Sequence, residues 1–210
     1  MSRARRPSRS GLKRTAGNRS PKTTYRFYCE GSITETAYIN ALKSHPAVQS
    51  NAHLKIDIAG ENGVPRVLIE KAIDHKSSEV GVDHYWAVFD VEQPINHPDL
   101  PLARRLAEQH GINCAISNPC FEIWLLLHVK DVTGPMTSKA AAQAANGEQV
   151  CKGKSIDMQR LLPNIENASR RAARLTEKHE KDGTAFPNNN PSTNFNLLVE
   201  RLGIVDVNAH

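Results

Sequence analysis

Apolar runs of strand length recur along residues 23–130, and each run ends in a polar turn. The segments TTYRFYC, HLKIDI and INCAIS carry β-branched or aromatic residues in patterns typical of strands. The segment HYWAVFD, which ends at Asp90, is a continuous apolar run, and such runs are typical of strands buried on both faces. The pattern therefore predicts four strands in this part of the chain.

Stretches with helical spacing follow each of these strands. The four predicted helices cover residues 34–44, 64–76, 99–110 and 119–129. Thr34 is a candidate cap, Gly111 is expected to end the third helix, and Pro119 stands where a helix can begin. The order βαβαβαβα predicts an α/β fold with a mainly parallel four-stranded sheet flanked by helices. Right-handed crossovers would place the carboxyl ends of the strands along one edge.

The pattern changes at about residue 130, where the sequence becomes Ala-rich and charged with helical spacing, and no further strand is expected. The apolar stripe of the last predicted helix comprises Phe195, Leu198, Val199 and Leu202. We therefore predict three parts. They are a basic arm at 1–22, an α/β core at 23–130, and a helical C-terminal extension packed on the core at 131–210.

The net charge of +5 is unevenly distributed. The first 22 residues carry eight Lys or Arg residues and no acidic one, so subtracting eight charges leaves residues 23–210 at −3. An arm rich in Arg, Ser, Gly and Pro buries too little apolar surface to offset its chain entropy, and we expect it to be disordered. Two interpretations stay open: an arm that binds phosphates through counterion release, or a solubilising leader.

The sequence lacks the marks of membrane insertion and secretion. No stretch reaches the roughly 18 apolar residues of a membrane span, and the N-terminus has no apolar segment of a signal peptide. The four cysteines occur without a CxxC pair, which favours reduced thiols over a zinc cage or a disulfide framework. We expect a cytoplasmic protein.

Acidic residues stand where two predicted strands end. Glu30 ends the first strand, and Asp90 with Glu92 ends the third. Sites in open α/β sheets form beyond the carboxyl ends of the strands, so these three carboxylates can converge on one cavity. Close carboxylates repel one another unless a cation neutralises them, and hard oxygen ligands suit Mg²⁺ or Mn²⁺. The alternative is that all three are solvated loop residues.

Four motifs follow one another in a characteristic order. They are CEGSITE at 29–35, FDVE at 89–92, SNPCFEIWLLLH at 117–128 and NPST at 190–193. In this order they resemble the RloB-like proteins, which are related to the Toprim domain. The resemblance spans about residues 24–203 and implies a Toprim-like fold. Toprim sites usually carry Asp-x-Asp, whereas this chain has Asp90-x-Glu92, so the metal assignment of Glu92 is less secure than that of Asp90.

The resemblance also implies a function. Glu30 would perform acid/base or metal-positioning work, while Asp90 and Glu92 would hold metal against phosphate oxygens. The chain would then be a metal-dependent nuclease acting on RNA, such as tRNA, or on DNA, and a toxic effector in bacterial defence against phage. The resemblance also implies an ATPase sensor as a partner, since similar Toprim effectors are encoded beside ATPases. The chain itself has no GxxxxGK[ST] loop. A second copy of the chain, in a homo-oligomer, is a further candidate partner.

Two alternative functions stay open. One is a Toprim-shaped binding or regulatory module that has lost catalysis. The other is a primase-like nucleotidyl phosphotransferase. Cleavage that depends on metal and on Glu30 would separate the nuclease from the binding module, and incorporation of labelled nucleotide would support the phosphotransferase.

Three further polar residues are candidates for the site. Glu35 is placed to interact with a helix dipole, and contact with metal or substrate is the second interpretation. Glu122 lies among apolar residues, where a carboxylate needs a polar cleft or a partner, so it is a catalytic candidate. Asn118 is a candidate for substrate contact, although capping the helix after Pro119 is the simpler role.

Basic residues outside the arm are candidates for phosphate contact. The candidates are Lys139, Arg170, Arg171 and Arg174. For the three arginines, a solvated helix face is the simpler explanation.

Deletion of residues 1–22 tests the role of the arm. We expect the truncated chain to fold normally and to bind nucleic acid more weakly, with a shallower salt dependence because up to eight cationic contacts are lost. Binding titrations across salt concentrations measure both quantities. An unchanged affinity and salt slope would identify the arm as a leader only.

Overall fold

The computed structural model of the protein describes residues 21–58 and 64–206. The predicted arm lies outside these residues except for its last two positions. The strands are β1 (Thr23–Cys29), β2 (Ala52–Ile58), β3 (His84–Asp90), β4 (Asn113–Asn118), β5 (Cys151–Lys152), β6 (Ser155–Ile156) and β7 (Ser192–Thr193). The α-helices are α1 (Thr34–Leu42), α2 (Pro46–Asn51), α3 (Pro65–Ser78), α4 (Leu100–His110), α5 (Glu122–Leu127), α6 (Ser138–Gly147), α7 (Met158–Leu161), α8 (Ile165–Lys181) and α9 (Phe195–Arg201).

The main sheet confirms the predicted α/β class. Its order is β2-β1-β3-β4-β7, and the first four strands pair in parallel. Helices flank this mostly parallel sheet, an arrangement consistent with a Toprim-like fold. The strands β1 and β3 are neighbours although β2 lies between them in sequence, so their carboxyl ends meet at the same edge.

The expectation that strands end near residue 130 is wrong. The short strand β7 pairs antiparallel with β4 and makes the sheet five-stranded, and β5 and β6 form a separate two-stranded hairpin. Each of these strands is two residues long, which is too short to produce a periodic pattern. Asn194 continues the β7 edge, since its side chain accepts from Ile116 N at 2.6 Å and donates to Cys114 O at 2.9 Å.

The sheet separates two hydrophobic clusters. Along β3, Trp86 and Val88 face the first cluster, which also contains residues of α1, α5, α8 and α9. Tyr85, Ala87 and Phe89 face the second cluster, which is built mainly with α3 and α4. This alternation buries β3 on both faces, as predicted from its continuous apolar run. The helices of residues 131–206 thus share a core with β1 and α5.

Several predicted helix boundaries differ from those found. Gly111 ends α4 as expected, in a left-handed conformation with φ 61°. The capping role of Asn118 is wrong, because Asn118 is the last residue of β4 and its amide donates to Pro187 O instead. The helix α5 begins at Glu122 rather than at Pro119. Thr34 is the first residue of α1 and makes no cap hydrogen bond. Helix α2 was not predicted.

No helix among the described residues is long and apolar enough to cross a membrane.

A buried histidine, His128, joins α1 and the end of α5 in the first cluster. His128 is 1% exposed, and its Nδ1 donates to Trp124 O at 2.8 Å. Its Nε2 accepts from the hydroxyl of Tyr38 at 2.9 Å. Both bonds suit the neutral imidazole, and burial lowers the pKa of His128 to about 4.

This pKa predicts a stability loss in acid. The unfolded chain binds a proton at His128 near pH 6.5 and the folded chain only near pH 4, so stability is complete above 6.5 and falls as the pH drops between these values. We expect a loss of roughly 3 kcal/mol in that window, and His128→Gln should remove most of that pH dependence. Urea unfolding of both proteins at several pH values gives the free energy of unfolding. An equal dependence of this free energy on pH in the two proteins would contradict the prediction.

Candidate metal centre

The first acidic pair is brought together by the neighbouring strands β1 and β3. Glu30 directly follows β1, and its backbone N–H donates to Val88 O at 3.0 Å, which continues the parallel ladder. The backbone N–H of Asp90 donates to Oε2 of Glu30 at 3.1 Å. The structure therefore places Glu30 and Asp90 at adjacent strand ends, as the sequence predicts.

A compact cluster forms around Glu30, and it includes a histidine. The Nε2 of His97 lies 3.0 Å from Oε1 of Glu30 and 3.7 Å from Oε2 of Glu92. One ligand atom from each of these three residues lies within 4.8 Å of the others. The predicted set was Glu30, Asp90 and Glu92, whereas His97 takes the place of Asp90 in this cluster.

Glu92 reaches the cluster through an uncommon backbone conformation. Its φ is 63°, in the left-handed region that side chains other than glycine rarely adopt. The backbone N–H of Glu92 donates to Pro119 O at 2.8 Å, which fixes the turn after β3 to the segment before α5. Residues held in such conformations tend to cluster at functional sites. Its carboxylate remains half exposed and accessible to a ligand.

Asp90 lies beside a second group of carboxylates. Asp90, Glu35 and Glu122 line a cavity of about 170 Å³ at the carboxyl edge of the sheet. Glu35 is buried in the first turn of α1, and Glu122 begins α5. Lys154, in the turn of the β5–β6 hairpin, lines the same cavity, and its carbonyl accepts from the hydroxyl of Thr34 at 3.5 Å.

The shared burial of these acids raises their proton affinity. Burial raises the pKa of Asp90 well above its ordinary value, and the carboxylates of Glu35, Glu30 and Glu122 raise it further. Burial likewise raises the pKa of Glu35, with added repulsion from Glu122 and Glu30 and a smaller opposing effect from Lys154. The pKa of Glu30 is raised by burial, although His97 and the Asp90 N–H oppose the rise. Burial and neighbouring carboxylates therefore disfavour the ionised forms of these acids, and a bound cation would favour them.

The CEG tripeptide at 29–31 has a steric explanation at its glycine. A Cβ atom at Gly31 would lie 2.0 Å from Oε2 of Glu35. Any other residue would therefore displace the Glu35 carboxylate from its buried position. Gly31 thus permits the first and second groups of carboxylates to approach one another.

The residues present fit a hard divalent cation. Two carboxylates and an imidazole converge within 4.8 Å, and Asp90 adjoins them through its bond to Glu30. A set rich in carboxylate oxygens suits Mg²⁺ or Mn²⁺, while the imidazole of His97 also suits later transition metals. The cluster can therefore hold a metal ion, and its geometry alone does not select one metal.

The other predicted contact residues do not line the acidic cavity. Lys139 is exposed near the start of α6, and the adjacent Ser138 exchanges hydrogen bonds with the backbone of Gln93 just after Glu92. Asn118 lines a different cavity.

The arginines of α8 are engaged by local partners. Arg174 and Arg171 lie 2.6 and 3.7 Å from Asp131, and Arg171 also donates to Leu127 O. Arg170 bonds Asn167. None of the three lines the acidic cavity.

Sequence reasoning missed His97 and Lys154. His97 stands in the loop after the acidic turn, so its position beyond β3 was an available signal. Lys154 lies in a two-residue-strand hairpin that the hydrophobic pattern does not reveal.

A family model described as RloB-like protein matches residues 26–202, which is most of the chain. No curated protein and no solved structure matches the chain significantly. With the ordered motifs and the acidic sheet edge in place, the match shows that the chain belongs to the RloB-like family.

Proposed function

We propose that the protein is a metal-dependent phosphodiesterase that cleaves nucleic acid. The observation that carries this proposal is the convergence of five carboxylates and one imidazole on the carboxyl edge of β1 and β3. A purely structural cluster would be expected to pair its acids with cations. Among the described residues, burial and the neighbouring carboxylates instead raise the pKa of Asp90 and of Glu35.

The side chains divide the work according to their position. Glu30 and Glu92, with His97, would hold the cation, and the Asp90 N–H keeps the Glu30 carboxylate oriented. A bound divalent cation would neutralise phosphodiester charge and lower the pKa of a bound water. Asp90, Glu35 and Glu122 form the adjoining wall of the site, and Lys154 offers positive charge to a phosphate at its mouth.

The biological setting is proposed from the family alone. A toxic effector in anti-phage defence, controlled by an ATPase sensor, accords with RloB-like membership and with a chain that lacks its own GxxxxGK[ST] loop. Magnesium is the proposed metal because carboxylate oxygens predominate in the site. The two alternative functions are a binding module without catalysis and a nucleotidyl phosphotransferase. The experiments below distinguish the nuclease from the binding module.

Asp90→Asn should abolish metal-dependent cleavage while preserving the fold. Removing one of several repelling charges should raise the melting temperature of the metal-free protein, by about 2–4 °C for each kcal/mol relieved. Losing an anion at the reacting centre should lower the cleavage rate by roughly 100-fold or more. Thermal unfolding without metal, cleavage of RNA and DNA with Mg²⁺ or Mn²⁺, and growth of expressing cells measure the effects.

Asp74→Asn is the matched control, because Asp74 is exposed on α3 and lies outside the acidic edge. This variant should behave as the unmodified protein in all three assays. Undiminished cleavage by Asp90→Asn would contradict the proposal. Unfolding of Asp90→Asn would show that Asp90 is structural and would favour the binding module.

His97→Gln and Glu92→Gln should each weaken metal binding. Each variant removes a ligand or an orienting partner of Glu30, so we expect the dissociation constant for Mn²⁺ to rise roughly 10- to 100-fold. Titration of Mn²⁺ by electron paramagnetic resonance measures it without any substrate. Glu177→Gln, an exposed change on α8, is the control. An unchanged affinity for Mn²⁺ in both site variants would show that this cluster does not bind the metal.

A further inference from the structure

A second cavity lies near the acidic edge, on the α4 face of the sheet. It has a volume of about 340 Å³ and is enclosed by α4, the end of β4 and the segment at 186–194. This volume falls within the range of about 300–1,000 Å³ typical of small-ligand sites. The metal centre does not use this cavity.

An unpartnered buried acceptor belongs to the lining. Asn118 is 1% exposed, and its Nδ2 donates to Pro187 O at 2.8 Å and to Oδ1 of Asn189 at 3.3 Å. These two bonds fix the orientation of the amide. Its Oδ1 has no hydrogen-bond partner among the described residues, and leaving a buried acceptor unmatched is costly. Because this Oδ1 is enclosed, an N–H group on a ligand would reach it only after the amide turns toward the cavity.

The neighbouring amide supplies the complementary group. Asn189 is half buried and uses its Oδ1 to accept from Asn118, whereas its Nδ2 makes no hydrogen bond within the described residues. The cavity therefore offers the N–H donor of Asn189 directly, beside the enclosed acceptor of Asn118. A nucleobase edge carries the matching pattern of donors and acceptors, and asparagine side chains are common partners of such edges.

A flat surface completes the lining. Phe186 is half buried, and the guanidinium of Arg104 lies over its ring, 5.1 Å from the centroid. Both residues line the cavity. Unpaired bases are commonly stacked on aromatic rings or on arginine planes while their edges are hydrogen-bonded. The lining thus combines the two contacts that such bases receive.

The two cavities lie on either side of the chain at the end of β3. Asp90 lines the acidic cavity and Val91 lines the second one, and consecutive residues of an extended strand point to opposite faces. The backbone N–H of Val91 donates to Ser117 O at 2.9 Å, directly before Asn118. The two cavities therefore adjoin the same stretch of chain from opposite faces of the sheet, and a strand that spans both would have to pass over the carboxyl edge.

We propose that this cavity binds one unstacked nucleobase of a single-stranded nucleic acid substrate. The proposal deepens the proposed function and rests on it for the position of the phosphate. It restricts the substrate class, because the bases of an intact duplex do not present themselves singly to a closed cavity. Single-stranded segments and loops are the predicted targets.

The test measures binding without divalent cations. The full-length chain is titrated in EDTA with fluorescently labelled single-stranded RNA or DNA, and in parallel with an abasic sugar-phosphate strand of the same length. Asn189→Ala and Phe186→Ala should weaken binding of the base-bearing strand by at least roughly fivefold and leave the abasic strand unchanged. Asn188→Ala, an exposed neighbour in the same segment, should change neither.

Two results would overturn the inference. One is an unmodified protein that binds both strands equally or neither; the other is a pair of cavity variants that retain full preference for bases. Phe186→Ala is interpreted only if its melting temperature is retained, and Asn189→Ala, which removes no core aromatic ring, supplies the test otherwise. If the variants lose affinity only for the base-bearing strand and no cleavage is found, the cavity binds a base and the nuclease proposal is wrong. If cleavage requires Asp90 but the variants bind the base-bearing strand normally, only the base-binding proposal is wrong.

Discussion

The crowding of acidic side chains at one edge of a parallel sheet is the physical constraint that organises the proposed site. Parallel pairing of β1 with β3 brings Glu30 and Asp90 together, although sixty residues of chain separate them. Burial then raises the pKa of both groups, and repulsion from Glu92 adds to the rise at Glu30, as repulsion from Glu35, Glu30 and Glu122 does at Asp90. Such repulsion opposes folding, and the surrounding packing tolerates it because β3 is buried between two hydrophobic clusters. A cation that binds the edge would relieve this cost, so metal binding and stability should be linked.

The same topology gathers groups from the rest of the chain. Helix α1 brings Glu35 from one side, α5 brings Glu122, and the loop before α4 brings His97. The C-terminal region does more than cover the core, because its hairpin supplies Lys154 and its segment before β7 encloses the second cavity. A chain without these later elements would retain the acids and lose the groups that we expect to position a nucleic acid.

The sequence predicts the parts of the molecule that long periodic patterns control. The four parallel strands, the buried character of β3 and the adjacency of Glu30 and Asp90 follow from apolar runs and from crossover rules. The hairpin β5–β6 and the strand β7 were missed because pairs of residues carry no periodicity, and their pairing depends on tertiary contacts. His97 was missed for a related reason: its loop has no regular pattern, and only the three-dimensional turn after Glu92 brings it to Glu30. Asn118 was misassigned because its amide bonds Pro187, far along the chain.

Anomalous diffraction from crystals of the full-length protein soaked in Mn²⁺ tests the central claim most directly. The account predicts a peak bonded to Glu30 and to Glu92, His97 or Asp90 at the carboxyl edge of β1 and β3. It also predicts that the peak disappears when Glu30 is replaced by Gln. A strong peak elsewhere on the protein, with none at this edge, would contradict the account.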